Sequence, residues 1–101
     1  MITFTLDLPR LSDSQQLQLE EALLKVPKVD ALALNDDSGD FVITLAKDNA
    51  GLRDAVAALY GWASSYPGLL AQMRVRCPQD KEMELGKHSP NDIIYFLAAC
   101  Y

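Results

Sequence analysis

The feature that most limits the fold is the stretch 29–47, VDALALNDDSGDFVITLAK, two apolar runs around one polar hexapeptide. The hexapeptide Asn35-Asp36-Asp37-Ser38-Gly39-Asp40 has turn chemistry. Gly39 supplies a residue that takes positive φ without strain, and the Asx and Ser side chains can bond neighbouring amides. The stretch therefore reads as a β-hairpin. Its left arm sets Val29, Ala31 and Ala33 against Leu32 and Leu34, and its right arm sets Phe41, Ile43 and Leu45 against Val42, Thr44 and Ala46. Both arms are apolar enough for the interior of a sheet.

What flanks the hairpin is equally patterned. Residues 2–8 alternate, with Ile2, Phe4, Leu6 and Leu8 on one face and Thr3, Thr5 and Asp7 on the other, which predicts a first strand ended by Pro9. Ser12 stands three residues before Gln15, the spacing of a capping box, and Asp13 suits the positive end of a helix dipole. Leu19, Ala22, Leu23 and Val26 then recur at helical spacing, Leu17 and Leu24 widen that stripe, and Pro27 stops it. After the hairpin, Asp48 or Asn49 caps a second helix, with Leu52, Val56, Leu59 and Ala63 on its buried side and Ala55 and Trp62 beside them. The run 64–68, SSYPG, ends it. A fourth strand over 70–77 points Ala71, Met73, Val75 and Cys77 inward, residues 79–88 read as a polar surface loop from which Met83 and Leu85 can dip into the core, and Ser89-Pro90-Asn91-Asp92 opens a last segment. That segment, 93–101, is apolar on every side, a helix or a strand that must be covered by its own domain or by another chain.

The order β-α-β-β-α-β with right-handed crossovers predicts an α+β, ferredoxin-like sandwich: a four-stranded antiparallel sheet with two helices on one face. Strands one and three are then central, and the fourth strand neighbours the first. The chain is expected to form one domain, 1–101, divided into a core over 1–78, the loop 79–88 and the apolar appendix 89–101. The free sheet face is expected to carry Thr3, Thr5, Asp7, Val42, Thr44, Gln72, Arg74 and Arg76, with Arg74 or Arg76 paired to Asp7.

Charge narrows the function classes. The net charge is −5, and all of it lies in residues 1–50, where Arg10, Lys25, Lys28 and Lys47 face nine carboxylates. Such a balance repels nucleic acid and anionic membranes and suits a basic protein partner. No apolar run approaches the ~20 residues of a membrane span, and no secretory leader pattern is expected. Cys77 and Cys100 have no metal-binding spacing and read as two buried thiols in a reducing compartment, which makes a cytoplasmic location the expectation.

The fold hosts many activities, so function has to come from a site. The loop at residues 9–12 holds Arg10 but no thiol pair. The single histidine, His88, sits in Gly86-Lys87-His88-Ser89 and reads as a solvated or capping residue, and no nucleophile elbow surrounds Ser12, Ser64 or Ser65. Trp62 and Tyr66 read as core or rim aromatics. No catalytic constellation, metal site or cofactor site emerges, so an enzyme is not expected. The expectation is a small acidic protein-binding module, of the inhibitor, immunity-type or assembly-adaptor kind, that docks onto a larger partner. Its expected contacts are Glu20, Glu21, Asp36, Asp37 and Asp40 for steering, with Tyr95, Phe96 and Tyr101 as apolar anchors. The alternative is a regulatory domain that binds a small ligand as a homodimer. Elemental analysis of protein purified without chelator is expected to find no stoichiometric metal, and nucleotides are expected to leave its melting temperature in place. A bound metal, or a shift of several degrees with one nucleotide, would overturn this.

Overall fold

The computed structural model describes residues 2–27, 29–34, 40–45, 49–66 and 68–100. It is an α+β fold with a five-stranded antiparallel sheet and three α-helices. The strands are β1 (Ile2–Asp7), β2 (Val29–Leu34), β3 (Phe41–Leu45), β4 (Arg74–Arg76) and β5 (Glu82–Glu84), in the order β2-β3-β1-β4-β5. The helices are α1 (Asp13–Leu24), α2 (Asn49–Ala63) and α3 (Pro90–Ala99). As expected from the sequence, β1 and β3 are interior and β4 neighbours β1. The strand β2 is an edge strand, although its composition suggested an interior one.

Strand alternation builds the core. Ile2, Phe4 and Leu6 of β1 are buried, and register places them opposite Leu45, Ile43 and Phe41 of β3, which are buried as well. Leu6 also stands opposite Val75 of β4. Identical parity in three adjacent strands makes one continuous apolar layer. Onto it α1 lowers Leu19 and Leu23, α2 lowers Leu52, Val56, Leu59 and Trp62, and α3 lowers Ile93 and Leu97, all in a single cluster. One cluster holding the same face of every central strand puts the three helices on one side of the sheet. The helix α2 packs against both α1 and α3.

Helix starts follow the local chemistry. Ser12 Oγ accepts from the Gln15 amide while Gln15 Oε1 accepts from the Ser12 amide, at 3.2 and 3.0 Å, the reciprocal capping box expected at that spacing. Ser89 and Asp92 form a second box at the start of α3, with Pro90 in its first turn. The proposed cap of α2 at Asp48 or Asn49 lies outside the described side chains.

Four expectations require correction. Residues 79–88 are not loop throughout: Glu82–Glu84 form β5 and Leu85–Lys87 a 3₁₀ turn, and Leu85 is buried, as the sequence allowed. The fifth strand is short and flanked by charge, but its Glu-Met-Glu stands opposite the Arg-Val-Arg of β4, so Met83 meets Val75 and each glutamate meets an arginine. The fourth strand is shorter than 70–77, because Leu70–Gln72 is a 3₁₀ turn that leaves Ala71 and Gln72 exposed. Leu17 and Leu24 do not widen the buried stripe of α1 but are exposed. In β2 the register shifts between Val29 and Ala31, so Val29 packs with Leu32 against the core rather than alternating away from it. The open choice for 93–101 resolves as a helix over Pro90–Ala99, covered by its own domain through Ile93 and Leu97.

The segment carrying Leu85 is held down by backbone proximity. A Cβ on Gly86 would sit 2.8 Å from Ala71 Cα and 3.0 Å from Leu70 O, so only glycine lets the two 3₁₀ turns touch. Tyr60 of α2 adds a second tie, its hydroxyl lying 2.9 Å from the Leu85 carbonyl and 3.1 Å from that of His88. Urea denaturation tests this arrangement. Leu59→Ala is expected to cost about 2–5 kcal/mol as a core truncation, and Gly86→Ala about 1–3 kcal/mol as an overpacked contact. Losses below about 0.5 kcal/mol for both, well under those ranges, would mean that neither contact is made.

Candidate functional site

The helix α1 presents two chemically different sides. Leu19 and Leu23 face the core, and successive residues turn about 100° on an α-helix. Leu17, Glu20, Glu21 and Leu24 follow the spacing i, i+3, i+4, i+7, which places Leu17, Glu21 and Leu24 on the side opposite Leu19 and Leu23 and Glu20 at its flank. Leu17 is 55% exposed and Leu24 65%. Glu21 is exposed and Glu20 half-buried. The result is a stripe with a leucine near each end, about 10 Å apart at 1.5 Å per residue, and two carboxylates between them. Contact of the Tyr66 hydroxyl with Gln18 Oε1 ties this helix to the segment after α2. Behind that contact, Tyr66 packs on Trp62 with ring centroids 5.6 Å apart, so both aromatics belong to the molecule's own packing.

The C-terminal aromatics divide. Ile93 and Leu97 occupy the core, Phe96 is half-buried against it, and Tyr95 is 71% exposed. The segment is thus a structural helix with one outward aromatic, and Phe96 is committed to packing. Tyr101 lies outside the described residues. Because α2 packs against both α1 and α3, Glu20 and Glu21 stand on one of α2's neighbours and Tyr95 on the other. The sequence reading grouped these residues as one surface; the fold places them on separate helices. It assigned Leu17 and Leu24 to the buried stripe, although they lie on the polar side of the line through Leu19, Leu23 and Val26.

The acidic hairpin is only partly described. Asp36 and Asp37 lie outside the described residues. Asp40 is 9% exposed, and its Oδ2 accepts from Arg76 Nη2 at 2.6 Å, so this carboxylate is spent on an internal ion pair rather than offered outward. Arg74 sits 3.7 Å from Glu82 and 3.9 Å from Glu84, and Glu84 also meets Lys87 at 3.2 Å. Both arginines therefore pair elsewhere than with Asp7, because β5 and the residue before β3 bring carboxylates closer. Uncharged Thr3 and Thr44, a register pair with hydroxyl oxygens 3.5 Å apart, lie on the same face towards β3.

The remaining candidates are structural or exposed. His88 Nδ1 lies 2.9 Å from the Glu84 carbonyl, consistent with its capping reading. Arg10 is exposed between β1 and α1. Tyr60 is pushed above the usual tyrosine range by burial and then by the carboxylate of Asp92, which keeps its hydroxyl protonated as a donor to the carbonyls beside it. Among the described residues no group of three or more His, Cys, Asp and Glu is arranged to hold a metal, and no helix is long and apolar enough to cross a membrane. Comparison with protein-family models, curated proteins and solved structures found no match.

The two ion-pair groups differ in shielding, and stability measurements should separate them. Asp40→Asn removes the negative charge from a largely covered pair and is expected to cost about 1–3 kcal/mol. Arg74→Gln acts on a half-exposed pair and should cost less than about 1 kcal/mol. Equal losses in urea denaturation would show that the Asp40 pair is no better shielded than its neighbour.

Proposed function

We propose that this chain is a protein-binding module whose contact face is the outward side of α1, and that its partner is a protein with basic groups around an apolar depression. The observation that carries this reading is the exposure of Leu17 and Leu24 on either side of Glu20 and Glu21. A helix stripe of this kind fits helix-in-groove recognition, where a few i, i+3, i+4, i+7 side chains supply the contacts. Burying each leucine contributes up to roughly 1.5–3 kcal/mol. The carboxylates, with the acidic excess of residues 1–50, steer the encounter. Tyr95 on α3 serves a secondary contact. An inhibitor, an immunity-type protein or an assembly adaptor works in this way.

Two finer readings accompany this one. The first four strands and first two helices follow the order of a ferredoxin-like sandwich, and we read β5 and α3 as an extension on the β4 edge. The free thiols of Cys77 and Cys100 suit a reducing compartment such as the cytoplasm.

Capture from an extract of the source cells, followed by kinetics on the isolated pair, tests the reading. Leu17→Ser with Leu24→Ser is expected to shorten the complex lifetime at least tenfold, while Glu20→Lys with Glu21→Lys slows association several-fold and flattens its salt dependence. Neither change should move folding stability by more than about 1 kcal/mol, since Leu17, Glu21 and Leu24 are exposed and Glu20 is half-buried. A partner that binds both variants with wild-type rate and lifetime would overturn the assignment of this face.

A further inference from the structure

Twenty-two residues separate Cys77 from Cys100 in the chain, yet the fold brings their thiols together. Cys77 follows the last residue of β4, and Cys100 is the C-cap of α3. The two thiols lie near enough for each to act on the other's ionisation. Around them the backbone is fixed: the Cys77 amide donates to the Lys81 carbonyl at 3.0 Å, the Asp80 amide donates to the Cys77 carbonyl at 3.1 Å, and Gln79 Nε2 donates to the Cys100 carbonyl at 3.3 Å. The Gln79 bond ties the turn after β4 to the end of α3, so the sulfurs are held in register from both sides. Both cysteines are buried, at 3% and 8% exposure, but neither belongs to the main core cluster. Cys77 is followed by a turn, Pro78 to Lys81, whose four residues are all exposed.

We propose that Cys77 and Cys100 are a redox-active dithiol that closes to an intramolecular disulfide by exchange with a small-molecule disulfide, Cys77 being the attacking sulfur and Cys100 the resolving one. The roles follow from unequal surroundings. The Cys100 thiol, the amides of Gln79 and Lys81 and the Lys81 ammonium surround Cys77 and favour its thiolate. Burial by itself raises a thiol, but these donors outweigh it and hold Cys77 below the ordinary thiol range. Cys100 has the opposite environment. Burial first, then the Cys77 sulfur, pushes it up to about 11, and its Sγ donates to the Phe96 carbonyl oxygen, 3.3 Å away. One sulfur is thus prepared as a thiolate and its neighbour keeps a proton, the division of labour that thiol–disulfide exchange uses.

The exchange balances in two steps. The Cys77 thiolate attacks one sulfur of RS–SR, forming a mixed disulfide and releasing RS⁻, which takes a proton from solvent. Cys100 then loses its proton to solvent and its sulfur attacks the Cys77 sulfur. The second RS⁻ leaves and is protonated in turn. Two protein thiols are oxidised and one small disulfide is reduced to two thiols. The product bolts the last turn of α3 to the end of β4, so oxidation locks the appendix that the Gln79 bond otherwise holds.

Oxidised glutathione is the probe, applied to the full chain at pH 7. The wild type is expected to lose both free thiols and gain no glutathione mass, with a melting temperature raised by on the order of 10 °C. Cys100→Ser should trap a stable glutathione adduct on Cys77, and Cys77→Ser should form its adduct at least tenfold more slowly. A variant-free measurement accompanies these: limited iodoacetamide treatment of the folded wild type should label Cys77 before Cys100, while in urea the two should label alike. Persistence of both thiols in the wild type, a lasting glutathione adduct on it, or first labelling at Cys100 would each overturn the proposal.

Discussion

The structure depends on the double pairing of β1. Its one apolar face, Ile2, Phe4 and Leu6, is opposed by β3 on one side and by β4 on the other. Because side chains alternate along every strand, fixing the register of β1 fixes which residues of both neighbours meet the helices. A slip of β3 by one residue against β1 would turn Phe41, Ile43 and Leu45 to the far face and bring Val42 and Thr44 to the helix side. The burial cost of such a slip explains why a single strand can organise elements from residue 2 to residue 84.

The two edges of the sheet are closed differently. At β2 the register shift beside Val29 disrupts the ladder near the edge, a device that discourages pairing with another chain. At the other edge, β5 covers β4, and Glu82 and Glu84 neutralise Arg74 on the outward face. Behind β5, the closeness of Gly86 to Ala71 and the Tyr60 hydroxyl hold the 3₁₀ turn down so that Leu85 can enter the core. The helix α3 then starts from a capped position and closes the apolar layer beside α2. Each piece is individually small, and they stand because each covers the preceding one.

The helix α1 is unusual in carrying leucines on both sides. Core packing explains Leu19 and Leu23 and gives no role to Leu17 and Leu24. Placed beside two carboxylates, that unexplained pair is the basis for treating this face as the one that meets a partner. The dithiol is independent of it: it lies between β4 and α3 and involves no residue of the α1 stripe, so failure of either reading leaves the other intact.

Patterns of period two and 3.6 made β1, α1, β3 and α2 legible from the sequence, with the capping boxes at Ser12 and Ser89 and a core of Ile2, Phe4, Leu6, Leu19, Leu23, Val26, Ile43, Leu45, Val56, Leu59, Met73 and Val75. These depend on neighbours within a turn or a strand, which the sequence displays directly. The strand β5 was not legible because three residues carry too little alternation, and only the facing Arg-Val-Arg of β4 gives Glu-Met-Glu a reason to extend. The candidate site was legible in its charges, Glu20 and Glu21, and illegible in its apolar part. A helical pattern says which leucines share a side, but how wide a stripe is buried depends on what stands opposite. Asp40 changed from a steering charge to a partner of Arg76, and Cys77 and Cys100 from two unrelated thiols to a pair, for the same reason. Sequence determines what each side chain can do with its near neighbours. Tertiary structure decides which distant group arrives within bonding range.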